Sequence, residues 1–284
     1  MMSGAVWVCD QLATVGCDIR LADAPKVKAI GPLACKTDRI DARVLADPVR
    51  RELVAEVWVP SVEERANRER LRRRSHLIRL RTSAINRTFG LLTQWGLRRE
   101  PHRIAQAWRD QGARRARRAG NPASVDRDAA RRDRGPEHAA RPARAGVRPH
   151  ARKDARVQLL MTIPGVAELL GLTLASEIGD IARFPSARQL VGYSGLTPTI
   201  KQSGQSSRTG RISKAGPDTL RWAAVEAAQQ AWPPTNPWHR LSTDAKNRDG
   251  KSHPAKAAAA RKVLIATWHV LTREQPFKPS QAAA

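Results

Sequence analysis

Two groups of residues in this chain have the types and spacing for phosphoryl chemistry. In "ACKTDRIDARVLADPVRR", residues 34–51, Asp38 and Asp41 stand three apart at what reads as the start of a helix. That spacing puts both carboxylates on one face and makes them half of a divalent-metal site, since magnesium held for phosphoryl transfer draws oxygen ligands from more than one segment. The second group lies in "YSGLTPTIKQSGQSSRTGRISKAG", Tyr193 to Gly216. Here the hydroxyls of Ser203, Ser206 and Ser207 accompany Lys201, Arg208, Arg211 and Lys214, and such cations can stabilise a pentavalent phosphorane next to a hydroxyl nucleophile. No histidine lies within the segment, so a serine there would need a base from elsewhere, either a metal-bound hydroxide or a carboxylate of another domain. The plainer reading is a flexible solvated loop.

A third feature is "IPGVAELLG", Ile163 to Gly171, which has the form of a helix-hairpin-helix turn. Gly165 permits a sharp turn, after which amides at the next helix N-terminus could meet a phosphate. An ordinary helix–helix connection is the competing reading. His239 and His253 have no second ligand at metal spacing and read as capping, packing or phosphate-contact residues rather than zinc ligands.

The balance of charge points to the partner. The 284 residues carry 51 Lys+Arg against 26 Asp+Glu, a formal net charge of +25, which favours polyanions and nucleic acid first among them. Membrane is the rival polyanion, but the most apolar stretch, Val157 to Gly179, is broken by Pro164 and Glu168. The N-terminus lacks a basic leader and meets Asp10 early, so the chain reads as cytoplasmic. Cys9, Cys17 and Cys35 have neither an even count nor metal spacing, which argues against a disulfide framework or a zinc knuckle.

These residues need elements to position them. Residues 1–60 read as part of an α/β unit: a helix in "GAVWVCDQLATVG", a short strand in "CDIRLADAP", a helix in "DRIDARVLADPV" and a buried-type strand in "LVAEVWVP". Residues 61–100 read as one long basic helix, with Leu71, Ile78, Ile85 and Leu92 recurring every seven positions and Arg72, Arg73 and Arg79 among the arginines on its other faces. Either a coiled-coil seam or an amphipathic surface helix accounts for that pattern. Residues 101–154 form an Arg/Ala-rich segment: positions 113–152 hold 12 Arg, 11 Ala and no Leu, Ile, Phe, Met or Trp. Too little apolar area is available there to offset about 1–2 kcal/mol of backbone entropy per residue, so disorder is expected, either as a basic arm for phosphates or as out-of-frame translation of GC-rich DNA. Residues 155–278 read as a mainly helical domain, with a core of Leu220, Ala223, Ala224 and Ala227 from one helix and Val263, Leu264, Trp268 and Leu271 from another.

Taken in order, "KTDRIDARVLADPVRRELVAEVWVP", the basic helix, "LLMTIPGV", "LASEIGDIARFPSARQLVGYSGLTP", "GRISKAG", "LRWAAVEAA" and "HPAKAAAARKVLIATWHVL" resemble the insertion-sequence transposases of family one-hundred-and-ten, relatives of the Piv DNA invertases. The likeness covers about residues 1–100 and 155–278. It implies a RuvC-like, RNase H-like N-terminal domain, a coiled-coil segment and a helical C-terminal transposase domain. It also implies a Mg2+-dependent Asp-Glu-Asp-Asp tetrad, a serine nucleophile that links covalently to DNA, a guide RNA and a homo-oligomer. The last two aspartates of the tetrad match Asp38 and Asp41, and the serine matches Ser203. The tetrad's first aspartate and its glutamate find no match. The expectation is therefore an incomplete RuvC-like domain with its front end missing and its middle scrambled, and the alternative function is an inactive remnant that only binds nucleic acid.

Overall fold

The computed structural model describes residues 4–17, 19–23, 49–51, 56–94, 147–203, 206–231, 233–241, 243–244 and 252–279. The chain divides into two compact units, 1–61 and 62–284. In the first, α1 (Ala5–Thr14) is the helix expected before Gly16, and Gly16 takes a left-handed φ of 81° just beyond its end. Two strands were expected to follow. Among the described residues they reduce to one antiparallel bridge, Ala22 to Glu56, with Arg20 paired to Glu56 at 3.3 Å. Asp38, Asp41 and the helix expected around them lie outside the described residues.

The second unit opens with α2 (Val62–Gln94), a single helix of 33 residues. Its less exposed side runs Glu64, Asn67, Leu71, Arg74, Ile78, Arg81, Ile85 and Phe89, with Leu71 buried and Ile78 and Ile85 half-buried. Those steps of three and four are the spacing of one helix face. Arg72, Arg73 and Arg79 are exposed on the others.

Disorder was expected to run through residue 152, yet Arg148–Lys153 forms α3, with Val147 at 4% and Ala151 at 0% exposure in the core. Two small apolar side chains four positions apart are enough to seat one helical turn when a neighbouring helix covers them, and composition averaged over 40 positions hides so local a pattern.

Then come α4 (Ala155–Leu160), α5 (Glu168–Ile178), α6 (Ala187–Tyr193), a β-hairpin, α7 (Asp218–Ala228) and α8 (Ser252–Arg273). Asp154 caps α4 by accepting from the Arg156 amide at 2.9 Å. Every residue of α5 from Leu170 to Ile178 is buried, Thr173, Ser176 and Glu177 included, as befits a central helix. It packs against α2, α3, α4 and α7, while α8 packs against α4, α6 and α7. The core residues expected on α7 and α8 are buried, Trp268 partly so. Ala223 and Ala224 of α7 and Ala259 and Ala260 of α8 have no exposure, so these two packed helices both bring small side chains to the core. Trp268 sits at the edge of this core and donates its indole N–H to the Phe184 carbonyl at 2.8 Å.

The turn before α5 explains one glycine. Gly165 has φ 88°, and a Cβ there would run into the Ala227 carbonyl at the end of α7. Gly165→Ala therefore meets left-handed strain and a backbone collision together, and chemical denaturation is expected to show a loss of about 2–3 kcal/mol.

His269 on α8 stands edge-on to Trp268, ring centroids 5.0 Å apart. Burial, and then the Arg273 guanidinium one turn on, hold its pKa below the ordinary histidine value. The folded state thus prefers the neutral ring, so this contribution to stability is intact above about pH 6.5 and is lost as pH falls through the lower folded value. Denaturant midpoints measured from pH 7 down to pH 5 are expected to fall, and to fall less in His269→Gln.

Candidate active site

The polar segment 193–216 is a built hairpin rather than a solvated loop. Strand β1 (Pro198–Ser203) pairs antiparallel with β2 (Ser206–Ile212), in the register Ile200–Thr209, Lys201–Arg208, Gln202–Ser207 and Ser203–Ser206, with an irregularity between Pro198 and Ile200. Facing positions of an antiparallel pair share a face, and neighbours along a strand alternate. The register therefore groups positions 201, 203, 206 and 208 on one face and 200, 202, 207 and 209 on the other. Ser203 ends β1 and is exposed, as is its partner Ser206. The register sets positions 201 and 208 directly opposite each other, and like charges so placed weaken a ribbon.

The stem is fixed by polar contacts. Ser213 donates its amide to the Thr197 carbonyl at 2.9 Å and Lys214 to the Gly195 carbonyl at 3.0 Å. The hydroxyl of Thr199 donates to the Arg211 carbonyl at 3.0 Å, and Gly210 is required opposite it, since a Cβ there would stand 2.5 Å from the same hydroxyl. Before the stem, Ser194 is wholly buried. Its hydroxyl donates to the Val191 carbonyl at 2.7 Å and accepts from the Leu196 amide at 3.3 Å, a side-chain turn that swings the chain out of α6. Gly195 has φ 71° on the way in, and Lys214 φ 55° on the way out. A left-handed non-glycine residue such as Lys214 is sparsely populated and held only by its surroundings. Arg211 and Lys214 are exposed.

Of the residues expected to act, Lys201, Ser203, Arg208, Arg211 and Lys214 thus share one hairpin. Gly165 does not join them, because it abuts Ala227 near the C-terminal end of α7, whereas the hairpin stem is tied to Arg221 near the start of that helix. The first turn of α5 already holds Glu168, paired with Arg148 at 3.1 Å and Arg152 at 3.2 Å. Arg72, Arg73 and Arg79 lie along α2, apart from the hairpin in sequence and element. Among the described residues no three His, Cys, Asp or Glu side chains gather in a way that could hold a metal.

Sequence reasoning passed over Arg221 and Arg68. Arg221 is the single cation on α7, a helix that also carries Asp218, Thr219 and Glu226. Arg68 is one of many arginines on α2, yet its Nε donates to the Ser176 carbonyl at 2.8 Å, its Nη2 to the Glu177 carbonyl at 3.0 Å, and its Nε lies 3.7 Å from the Glu177 carboxylate. Glu177 is 3% exposed and accepts from the Thr219 hydroxyl at 2.7 Å. Alongside, Arg156 joins Asp154 at 2.9 Å and Glu64 at 3.4 Å, and the hydrogen bonds it donates to Asp154 are foremost in raising its pKa above the ordinary arginine value. Separations of 109 positions for Arg68 with Glu177 and 92 for Arg156 with Glu64 put those two pairings beyond any periodicity.

The stretch that holds both the Pro-Gly turn and the hairpin, residues 157–243, matches the sequence model described as Transposase IS116/IS110/IS902 family. Over longer spans the chain is similar to a probable family 20 transposase of Pseudomonas aeruginosa, 29% identical over 255 residues, which is 86% of this chain and 74% of that protein. It is also similar to the transposase for insertion sequence element IS1111A of Coxiella burnetii, 27% identical over 86% of this chain and 68% of that one. The uncharacterized 44.8 kDa protein of insertion element IS116 from Streptomyces clavuligerus is 28% identical over 47% of this chain and 34% of its own. No helix among the described residues is long and apolar enough to cross a membrane.

Proposed function

We propose that this chain is an insertion-sequence transposase that cuts and rejoins DNA through Ser203. The observation that carries the reading is the hairpin inside the transposase-family segment, with an exposed Ser203 at the end of β1 and cationic positions 201 and 208 in register behind it. In the step proposed, the Ser203 oxygen attacks a DNA phosphorus, one bridging P–O bond breaks, and a phosphoserine diester forms. The serine proton goes to a base, and the released strand end takes up a proton as a hydroxyl. One phosphodiester replaces another, so the strand can be rejoined by the reverse reaction. Lys201, Arg208, Arg211 and Lys214 would offset the charge that develops on the phosphorane.

Asp38 and Asp41 would hold Mg2+, whose contribution when bound is to neutralise charge on the phosphate oxygens. The described residues do not by themselves gather a ligand set for it, and no step here is routed through it. Gly165, with the exposed Arg72, Arg73 and Arg79, would follow nucleic-acid phosphates, a guide RNA and a second copy of the chain being further proposed partners. Incubating the full chain with duplex DNA from the regions flanking its reading frame, in magnesium buffer, tests the reading by denaturing electrophoresis. A DNA-linked band that Ser203→Ala abolishes is the expected result. DNA binding with no such band in the unaltered chain would leave a nucleic-acid-binding protein without strand chemistry.

A further inference from the structure

We infer that Arg221 is the brace that fixes the pose of the hairpin on the helical body, and so is a positioning residue for Ser203. A single nitrogen, Nη1, donates to the Ser194 carbonyl at 3.1 Å and to the Lys214 carbonyl at 3.3 Å. These two carbonyls sit on either side of the hairpin, one just before it and one just after it. The peptide that follows the first leads to Gly195 at φ 71°, and the second belongs to Lys214 at φ 55°. Both backbone turns are ones that a chain does not hold by its own preference, so one side chain restrains both hinges at once.

The brace has a firm root. Arg221 lies in the first turn of α7, two positions from Thr219, whose hydroxyl is bonded to the buried Glu177 of α5 at 2.7 Å, and its neighbour Leu220 has no exposure. Ser194, on the other side, is wholly buried. The contacts beyond the stem are different in kind: Ile200, Ser203, Ser206 and Arg211 are exposed, so the ribbon gains little from burial and depends on its base for direction. Without the brace, the Ser213–Thr197 and Lys214–Gly195 bonds and the seating of Leu196 and Ile212 on the core would keep the pairing, while the exposed end of the ribbon would be freer to swing. Positioning matters here because in-line attack on phosphorus tolerates errors of about an ångström poorly.

The consequence for the reaction rests on the function proposed above; the brace itself does not. The test uses the full chain with Arg221→Gln and Arg221→Lys, read by amide hydrogen exchange without DNA and by covalent adduct formation with the flanking duplex. Expected in Arg221→Gln is exchange at least about 10-fold faster in residues 194–214 with α5, α7 and α8 unchanged, DNA affinity within about twofold, and an adduct rate reduced at least about 10-fold. Arg221→Lys, which keeps one mobile donor, is expected to recover part of both. Unchanged exchange in 194–214 overturns the brace whatever the adduct does, and faster exchange throughout the helices overturns it in favour of a general structural role. A chain that forms no Ser203 adduct even unaltered overturns the proposed chemistry, while the exchange pattern still decides the brace.

Discussion

Ser203→Ala is expected to abolish strand joining, reducing it by at least about 10^3-fold, with DNA affinity unchanged within about twofold. The size follows from the role: a covalent nucleophile has no substitute, and its removal leaves only what binding and charge stabilisation supply. Ser206→Ala is the informative companion. Ser206 faces Ser203 across the ribbon and is exposed like it, so a hydroxyl chosen merely for accessibility would tolerate either loss. The account expects Ser206→Ala to retain at least about a tenth of the activity. Gel-based strand-transfer assays of both variants, with affinity measured in parallel, check this.

Arg68→Ala carries the largest expected effect on stability, about 3–5 kcal/mol, the usual cost of stripping one partner from a buried charge pair. Three things fail together. The Glu177 carboxylate, 3% exposed, keeps only the Thr219 hydroxyl. The Ser176 and Glu177 carbonyls, in the last turn of α5, lose the guanidinium that bonds both, and with it the favourable cation at a helix C-terminus. And α2 loses two hydrogen bonds to α5, where among the described residues Leu71 is its contribution to the buried apolar core. Thermal unfolding is expected to shift down sharply, and Arg68→Lys to recover only part, because an ammonium does not reproduce the planar fork.

The helices of the C-terminal domain were legible because their apolar residues recur at helical spacing and their ends are marked. Leu220, Ala223, Ala224 and Ala227 were readable as one buried face, and Pro-Gly at 164–165 as a turn. The hairpin was not, for a physical reason: its strands bury almost nothing, and their one large apolar residue besides Ile212, Ile200, is 68% exposed. A half-buried strand announces itself by alternation, which this ribbon lacks. What remained in the sequence was the spacing of two residues, Gly204 and Gln205, between the strands, a hairpin signal that the polar composition obscured. Val147 and Ala151 show the converse, two core positions hidden in a stretch whose bulk composition forbids a core.

The candidate site was legible in part and by different means. The cations at 201, 208, 211 and 214 followed from charge, while the choice of Ser203 over Ser206 and Ser207 came from resemblance and not from composition. The register adds what neither provided, a common face for positions 201, 203, 206 and 208. Arg221 and the Arg68–Glu177 pair were out of reach because their partners are backbone carbonyls or lie far along the chain. Asp38 and Asp41 stand where the sequence left them, outside the described residues.

The central claim is the identity of the atom that bonds to DNA. The full chain, reacted with a duplex from the DNA flanking its reading frame, is quenched in denaturant, digested with nuclease and protease, and its nucleotide-bearing peptide is sequenced by mass spectrometry. The account predicts a single phosphonucleotide on the Ser203 hydroxyl. A nucleotide on Ser206, Ser207 or any other side chain would contradict it.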